Sequence, residues 1–176
     1  GRKSVYSLPN IVQSFVNIPA FTWEEVCEGQ TTKFRISNTA NIDSVRWDFG
    51  DGGQSSDLLP NYAFSTPGVY NVALHQYYQG EKFTDSMMVT HYPLPKIALT
   101  DTVLLYTGSS INLRAGGGFA SYLWNTASVD SVITVETQGS YIVEVEDFHC
   151  CRNSDTTYVK VFGYYIPNAF TPNGDG

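Results

Sequence analysis

Three aspartates, Asp48, Asp51 and Asp57, fall within ten residues of a glycine-rich stretch, WDFGDGGQSSD. Carboxylate oxygens at this spacing are the hard ligands a calcium ion takes. A glycine-rich loop between a strand and a helix, closed by a lysine, would instead cradle phosphate. No lysine follows here and the flanking sequence has no helical period, so phosphate binding is not expected. Asp-Gly after a strand is also common turn chemistry, because glycine accepts a positive φ. Two readings stay open, a turn alone and a turn that holds calcium, and no other cofactor is expected.

A second group of side chains is aromatic. HQYYQGEKF places Tyr77, Tyr78 and Phe83 around a turn at Gly80. Neighbouring residues on a strand face opposite ways, so at least one of the tyrosines points outward. A planar row of such rings would stack on sugars, whereas scattered rings are ordinary surface. Catalytic groupings are sparse. His75, His91 and His149 lie far apart, and neither a Gly-x-Ser-x-Gly elbow nor a His-Glu-x-x-His pair occurs. Glu24 and Glu25 are adjacent and would face opposite sides of a strand. A carboxylate pair built across strands is the one enzymatic option left, and the chain reads as non-enzymatic.

Charge narrows the partners. The 176 residues carry a net charge of −7 with ten scattered Lys and Arg. Nucleic acid and anionic membrane surfaces need a clustered basic patch, which this chain lacks. Its apolar runs stay well short of the roughly 18 residues that cross a bilayer, so no transmembrane segment is expected. GRKSVYSLPN has no apolar signal-peptide core and reads as cut from something longer. Cys27, Cys150 and Cys151 are too few and too oddly spaced for a disulfide framework or a zinc site. The adjacent pair reads as two reduced thiols, with a vicinal bridge as the alternative.

The elements that must position these groups are strands. Tyr and Phe total 22 (12 and 10), charged residues are only 15%, and no window keeps a helical period. The fold class is all-β. A repeat emerges along the chain: Trp47 and Trp124 sit in short strands, and Gly68-Val-Tyr70 and Gly139-Ser-Tyr141 each open an alternating strand. In YIVEVED, Tyr141, Val143 and Val145 face one way, and in VYNVALHQY so do Tyr70, Val72 and Leu74. Trp47, Tyr70, Trp124 and Tyr141 are therefore core residues of two tandem β-sandwiches. Strands are expected at FTWEEV, TTKFRIS, SVRWDF, NYAF, GVYNVALHQYY and EKFTDSMMVTHY. After the proline-stiffened linker YPLPK come KIAL, SINLRA, SYLWN, SVITVE, GSYIVEVED and TTYVKVF.

RWDFGDGGQSS and YAFSTPGVYNVAL resemble a PKD domain, the small β-sandwich of bacterial and archaeal surface proteins. Trp47 to Gly52 match its central motif, and Tyr62, Phe64, Pro67, Gly68 and Tyr70 match the later block. The resemblance spans about residues 20–94. Residues 95–163 are similar to the Ig-like domain that often follows in surface proteins of the Bacteroidetes type. YYIPNAFTPNGDG, 164–176, resembles the opening of the gliding-motility-associated C-terminal domain, a sorting signal read by the type IX secretion system. Residues 1–19 resemble the tail of an upstream module.

These resemblances imply a spacer or interaction segment at the cell surface or outside the cell. Its partners would be other modules of its own chain, the type IX machinery through the sorting domain, and glycans or surface proteins. Relatives often carry cysteines near EKFTDS and Leu105 that are missing here, so an interdomain bridge is a conceivable pairing for Cys27. Five triplets, beginning at Asp43, Asp85, Asp101, Asp130 and Asp155, resemble the O-glycosylation acceptor of exported Bacteroidetes proteins. Asp-Ser/Thr also starts strands by satisfying free backbone donors.

Overall fold

A computed structural model describes residues 20–40 and 42–163. The expected upstream tail, 1–19, and the start of a sorting domain, 164–176, lie outside the described residues. No helix occurs among the described residues, and the chain divides into two compact units, Gly1–His91 and Tyr92–Gly176.

The first unit contains β1 (Phe21–Trp23), β2 (Val26–Cys27), β3 (Thr32–Ile36), β4 (Ser44–Asp48), β5 (Gln54–Ser55), β6 (Asn61–Tyr62), β7 (Gly68–Tyr78) and β8 (Glu81–Tyr92). They form two sheets, ordered β1-β3-β6 and β2-β8-β7-β4-β5. Alternation does the sorting: Thr32, Phe34 and Ile36 of β3 are buried while Lys33 and Arg35 are exposed. Trp47, Phe21, Phe34 and Phe49 fill the space between the sheets with Val72, Leu74 and Val89. Phe21 meets the edge of Trp47 at 5.1 Å, and Phe49 stacks on Tyr62 at 3.7 Å. Such ring pairs add about 0.5–1.5 kcal/mol each beyond the area they bury.

The second unit contains β9 (Thr102–Tyr106), β10 (Ile111–Arg114), β11 (Ser121–Trp124), β12 (Val132–Val135), β13 (Gly139–Glu146) and β14 (Arg152–Phe162). Its sheets are ordered β11-β13-β14-β9 and β10-β12, with β9 parallel to β14 and the other pairs antiparallel. Trp124, Tyr141, Val143, Val145 and Val159 centre its core.

Two expected strands move. KIAL is not a strand; the first strand of the second unit is β9, at Thr102–Tyr106. The cause lies in β14, where the Asp155 carboxylate accepts the Leu99 amide at 2.8 Å and the Tyr158 amide donates to the Asp101 carbonyl at 2.9 Å. These bonds hold the chain against β14, and regular pairing begins only after Asp101. β14 itself starts at Arg152, four residues before the expected TTYVKVF, because Arg152 to Asp155 pair with Glu146 to Val143.

The two units repeat one set of bonds. The Trp47 and Trp124 indoles donate to the carbonyls of Asp57 and Asp130. The Tyr70 and Tyr141 hydroxyls donate to the carbonyls of Thr66 and Thr137, four residues back, a tyrosine corner in each. Asp85 holds the Ala20 amide as Asp155 holds that of Leu99.

Candidate functional site

The loop with the three aspartates follows β4 directly. Asp48 Oδ1 accepts the Gly50 amide at 3.0 Å, and Asp51 Oδ1 accepts the Gly53 amide at 2.9 Å. These are successive turns in which a side chain satisfies the backbone two residues on. The Tyr62 hydroxyl reaches both oxygens of Asp51 at 2.9 Å. Burial, followed by this bond to Asp51, pushes the Tyr62 phenol up to about 12. Asp57 Oδ2 accepts the Ser55 hydroxyl at 3.2 Å.

Each carboxylate thus braces a different turn. Among the described residues no group of three His, Cys, Asp or Glu side chains is placed to hold a metal ion. Gly50 is required twice over. Its φ is +79°, and a Cβ there would sit 2.7 Å from the Asn71 carbonyl oxygen. Gly53 lies so close to Tyr62 that a Cβ would fall 1.9 Å from the phenol oxygen.

The aromatic hairpin is split by its register. Tyr77 pairs with Lys82, Tyr78 with Glu81 and Phe83 with Gln76. Directly opposed residues share a face, so Tyr78 and Phe83 lie on one side and Tyr77 on the other. Tyr77 is half-buried, while Tyr78 is 40% and Phe83 56% exposed. The three rings do not make a row, and at most two of them share a surface. Gln79 and Gly80 both have positive φ, which gives the two-residue turn whose twist suits a hairpin. Asp43 Oδ2 accepts the Gln79 amide at 2.6 Å and pins the tip to the chain before β4.

On the face of Tyr77, His75 Nδ1 lies 2.8 Å from the Thr84 hydroxyl. Burial, then the Lys82 ammonium, lowers its imidazole below 6.5. His91 is buried, with its ring nitrogens 3.1 and 3.0 Å from the carbonyls of Thr66 and Cys27. His149 stacks on Tyr92 at 3.9 Å. The three histidines take up separate structural positions. Glu24 and Glu25 are both exposed in the break between β1 and β2 and not on a strand.

Cys27 and Cys151 are buried and disulfide-bonded, and Cys150 is an exposed free thiol. This corrects the reading of Cys150 and Cys151 as two reduced thiols and leaves no vicinal bridge.

Sequence reading passed over a further surface. On the outer side of the β9–β14 pair, Tyr106 (56% exposed) lies opposite Phe162 (37%), with Leu104 and Tyr158 beside them. The Lys160 ammonium stands 5.2 Å from the centre of the Phe162 ring. The alternation in TTYVKVF held the signal, since its outward positions are Tyr158, Lys160 and Phe162.

Comparison with known proteins bears on the first unit. The model of the PKD domain family matches residues 17–88. The first unit matches the PKD domain. Among solved structures, the PKD1 domain of the Vibrio cholerae metalloprotease PrtV is similar at 25% identity and TM-score 0.36, over 41% of this chain and 91% of that one. The SGBP-B protein of the Bacteroides ovatus mixed-linkage glucan utilization locus, solved with a heptasaccharide, is 14% identical at TM-score 0.35, over 77% of this chain. The chain spans 42% of that protein's length. Titin domains I67–I69 are 13% identical at TM-score 0.37, over 83% of this chain and 67% of theirs. No curated protein matches. Both units are all-β sandwiches, and no described helix is long and apolar enough to cross a membrane.

Proposed function

We propose that the chain is a non-catalytic structural and interaction segment of a secreted or cell-surface multidomain protein. One observation carries this reading: in both units the side chains with chemical potential are engaged in cores and turns. Trp47, Trp124, Tyr70 and Tyr141 clasp the sandwiches, and Asp48, Asp51 and Asp57 brace a loop. PKD and Ig-like modules serve as spacers and binding units, which supports a place on the cell surface or outside the cell. Export by the type IX system, with its machinery and neighbouring modules as partners, rests on the resemblance of residues 164–176 to a sorting domain.

A spacer must hold its neighbours apart. Small-angle scattering of the chain tests this: two maxima in the pair-distance distribution support the role, and the distribution of a single globule overturns it.

The alternative is a module that binds glycan or protein. It is favoured by the exposed rings of Tyr78 and Phe83 and by the Tyr106–Phe162 face. Affinity electrophoresis in gels cast with soluble polysaccharides decides it. Retardation lost in Phe83→Ser or Tyr106→Ser supports binding, and unretarded migration in every gel rules glycan out.

A further inference from the structure

The register of the five-stranded sheet gathers basic groups that are scattered in the sequence. On its outer face Arg46 of β4 lies directly opposite His75 of β7, and Lys82 of β8 lies opposite Tyr77, the next β7 residue on that face. Two adjoining rows, Ser44–Tyr77–Lys82 and Arg46–His75–Thr84, thus cross three strands. Ser44, Arg46, Lys82 and Thr84 are exposed, and His75 and Tyr77 are half-buried. Burial comes first in lowering the His75 imidazole, and the Lys82 ammonium and Arg46 guanidinium lower it further against the pull of Asp48. Like charges gathered on a sheet face repel one another. Among the described residues neither Arg46 nor Lys82 forms an ion pair, whereas Lys33 and Arg152 do. Arg46 donates one guanidinium N–H to Gln54 Oε1 at 2.7 Å, and its side chain is otherwise exposed. A hollow of about 400 Å³ beside it is lined by Val45, Gln54, Ser55 and Ser56. In a chain of net charge −7, two uncompensated cations flanking an imidazole make a local positive field that an anionic ligand relieves.

We infer that this face binds an acidic polysaccharide, with one carboxylate in the Arg46 fork, a second beside Lys82 and a sugar ring over Tyr77. A planar carboxylate meets a guanidinium through two parallel bonds. Arg46 and Lys82 stand on strands two places apart, roughly 10 Å, so a ligand charged at intervals along its length engages both. The neutral side chains between the cations, Ser44, Tyr77 and Thr84, offer bonds to sugar hydroxyls. His75 adds Nε2, its Nδ1 lying 2.8 Å from the Thr84 hydroxyl. An acidic peptide fits less well. Peptides add to a sheet edge or fill a groove or side-chain pockets. β7 is instead a central strand, its backbone paired on both sides by β4 and β8. The inference rests on the glycan-binding reading and names its ligand, but it uses the side of the hairpin away from Tyr78 and Phe83.

Biolayer interferometry of chain 1–176 at low salt tests it, on sensors that carry polygalacturonate, hydroxyethylcellulose or poly-L-glutamate. The expected result is tightest binding to polygalacturonate, weakened roughly ten-fold or more in Arg46→Gln and in Lys82→Gln. Arg35→Gln should leave it unchanged, since this variant removes the same charge from β3 in the other sheet. All three side chains are exposed and none fills a core. Equal weakening in Arg35→Gln overturns the inference, because the attraction then follows charge alone. Binding to hydroxyethylcellulose but not to polygalacturonate overturns it and leaves the glycan reading standing, whereas binding to neither overturns both. Equal binding to poly-L-glutamate, lost in Arg46→Gln, overturns it in favour of an acidic protein partner.

Discussion

The indole nitrogen of Trp124 donates to the carbonyl oxygen of Asp130 at 2.8 Å, as that of Trp47 does to the carbonyl of Asp57 at 2.9 Å. Each acceptor sits in a turn closed by a serine two residues earlier: the Asp130 amide donates to Ser128 Oγ and the Asp57 amide to Ser55 Oγ. A buried indole N–H without a partner would cost about 1–3 kcal/mol. The loop after each tryptophan strand therefore seals the core as well as turning the chain, and this occupies Asp57 and Asp130.

The tyrosine corners predict a matched pair of losses. Tyr70→Phe and Tyr141→Phe each remove a hydroxyl bonded to a backbone carbonyl and to a threonine hydroxyl. Each should cost roughly 1 kcal/mol in urea unfolding, with the slope m unchanged. The double variant should lose the sum, since the residues belong to separate cores. A loss in one variant alone would show that the two corners are not equivalent.

Gly50 should tolerate no side chain. Gly50→Ala forces a left-handed backbone on alanine, at about 1–2 kcal/mol, and pushes a Cβ against the Asn71 carbonyl. Gly52, also at positive φ but with nothing within 4 Å, should lose only the backbone component on substitution. Thermal melts of the two alanine variants would rank them, and the reverse order would refute the account of the close approach.

Two groups should shape stability against pH, at opposite ends of the range. The folded His75 imidazole lies below its unfolded value of 6.5, so the unfolded chain binds that proton first. Its contribution is complete above pH 6.5 and is lost as pH falls through the folded value. The Tyr62 phenol rises from 10.0 to about 12, so its contribution is complete below pH 10 and is lost between pH 10 and about 12. His75→Asn should flatten the acid limb of melting temperature against pH and leave the alkaline limb. Tyr62→Phe should do the opposite.

Calcium should leave the fold unmoved. The carboxylates of Asp48, Asp51 and Asp57 accept bonds in separate turns and do not converge on a point. Melting after chelator treatment, with and without millimolar calcium, should give one temperature. A rise that saturates with calcium would establish a metal site, since a ligand of the native state alone stabilises it.

Much of the fold is legible because strand alternation is a local signal. β3 and β13 declare their inward faces residue by residue, β7 does so as far as Leu74, and each tryptophan marks a core. The start of the second unit is not legible, because it is decided at long range. Asp155 captures the Leu99 amide across 56 residues, which overrides the apolar run KIAL. The grouping of the hairpin rings is hidden for a similar reason: which tyrosine shares a face with Phe83 depends on register across the turn. The aspartate loop left turn and metal open, since spacing along the chain does not say whether carboxylates converge. The pairing of Tyr62 with Asp51 is likewise invisible in sequence.

The parallel alignment of β9 with β14 has a mechanical consequence. These strands stand near the entry to and the exit from the second unit, and they run the same way over five register pairs, Tyr158–Thr102 to Phe162–Tyr106. Tension between the two ends of the unit pulls them in opposite directions along their length, so their hydrogen bonds are loaded together in shear. An antiparallel hairpin pulled at its open end yields one bond after another. A pull along the chain would therefore meet the β9–β14 seam in shear, with all five register pairs sharing the load.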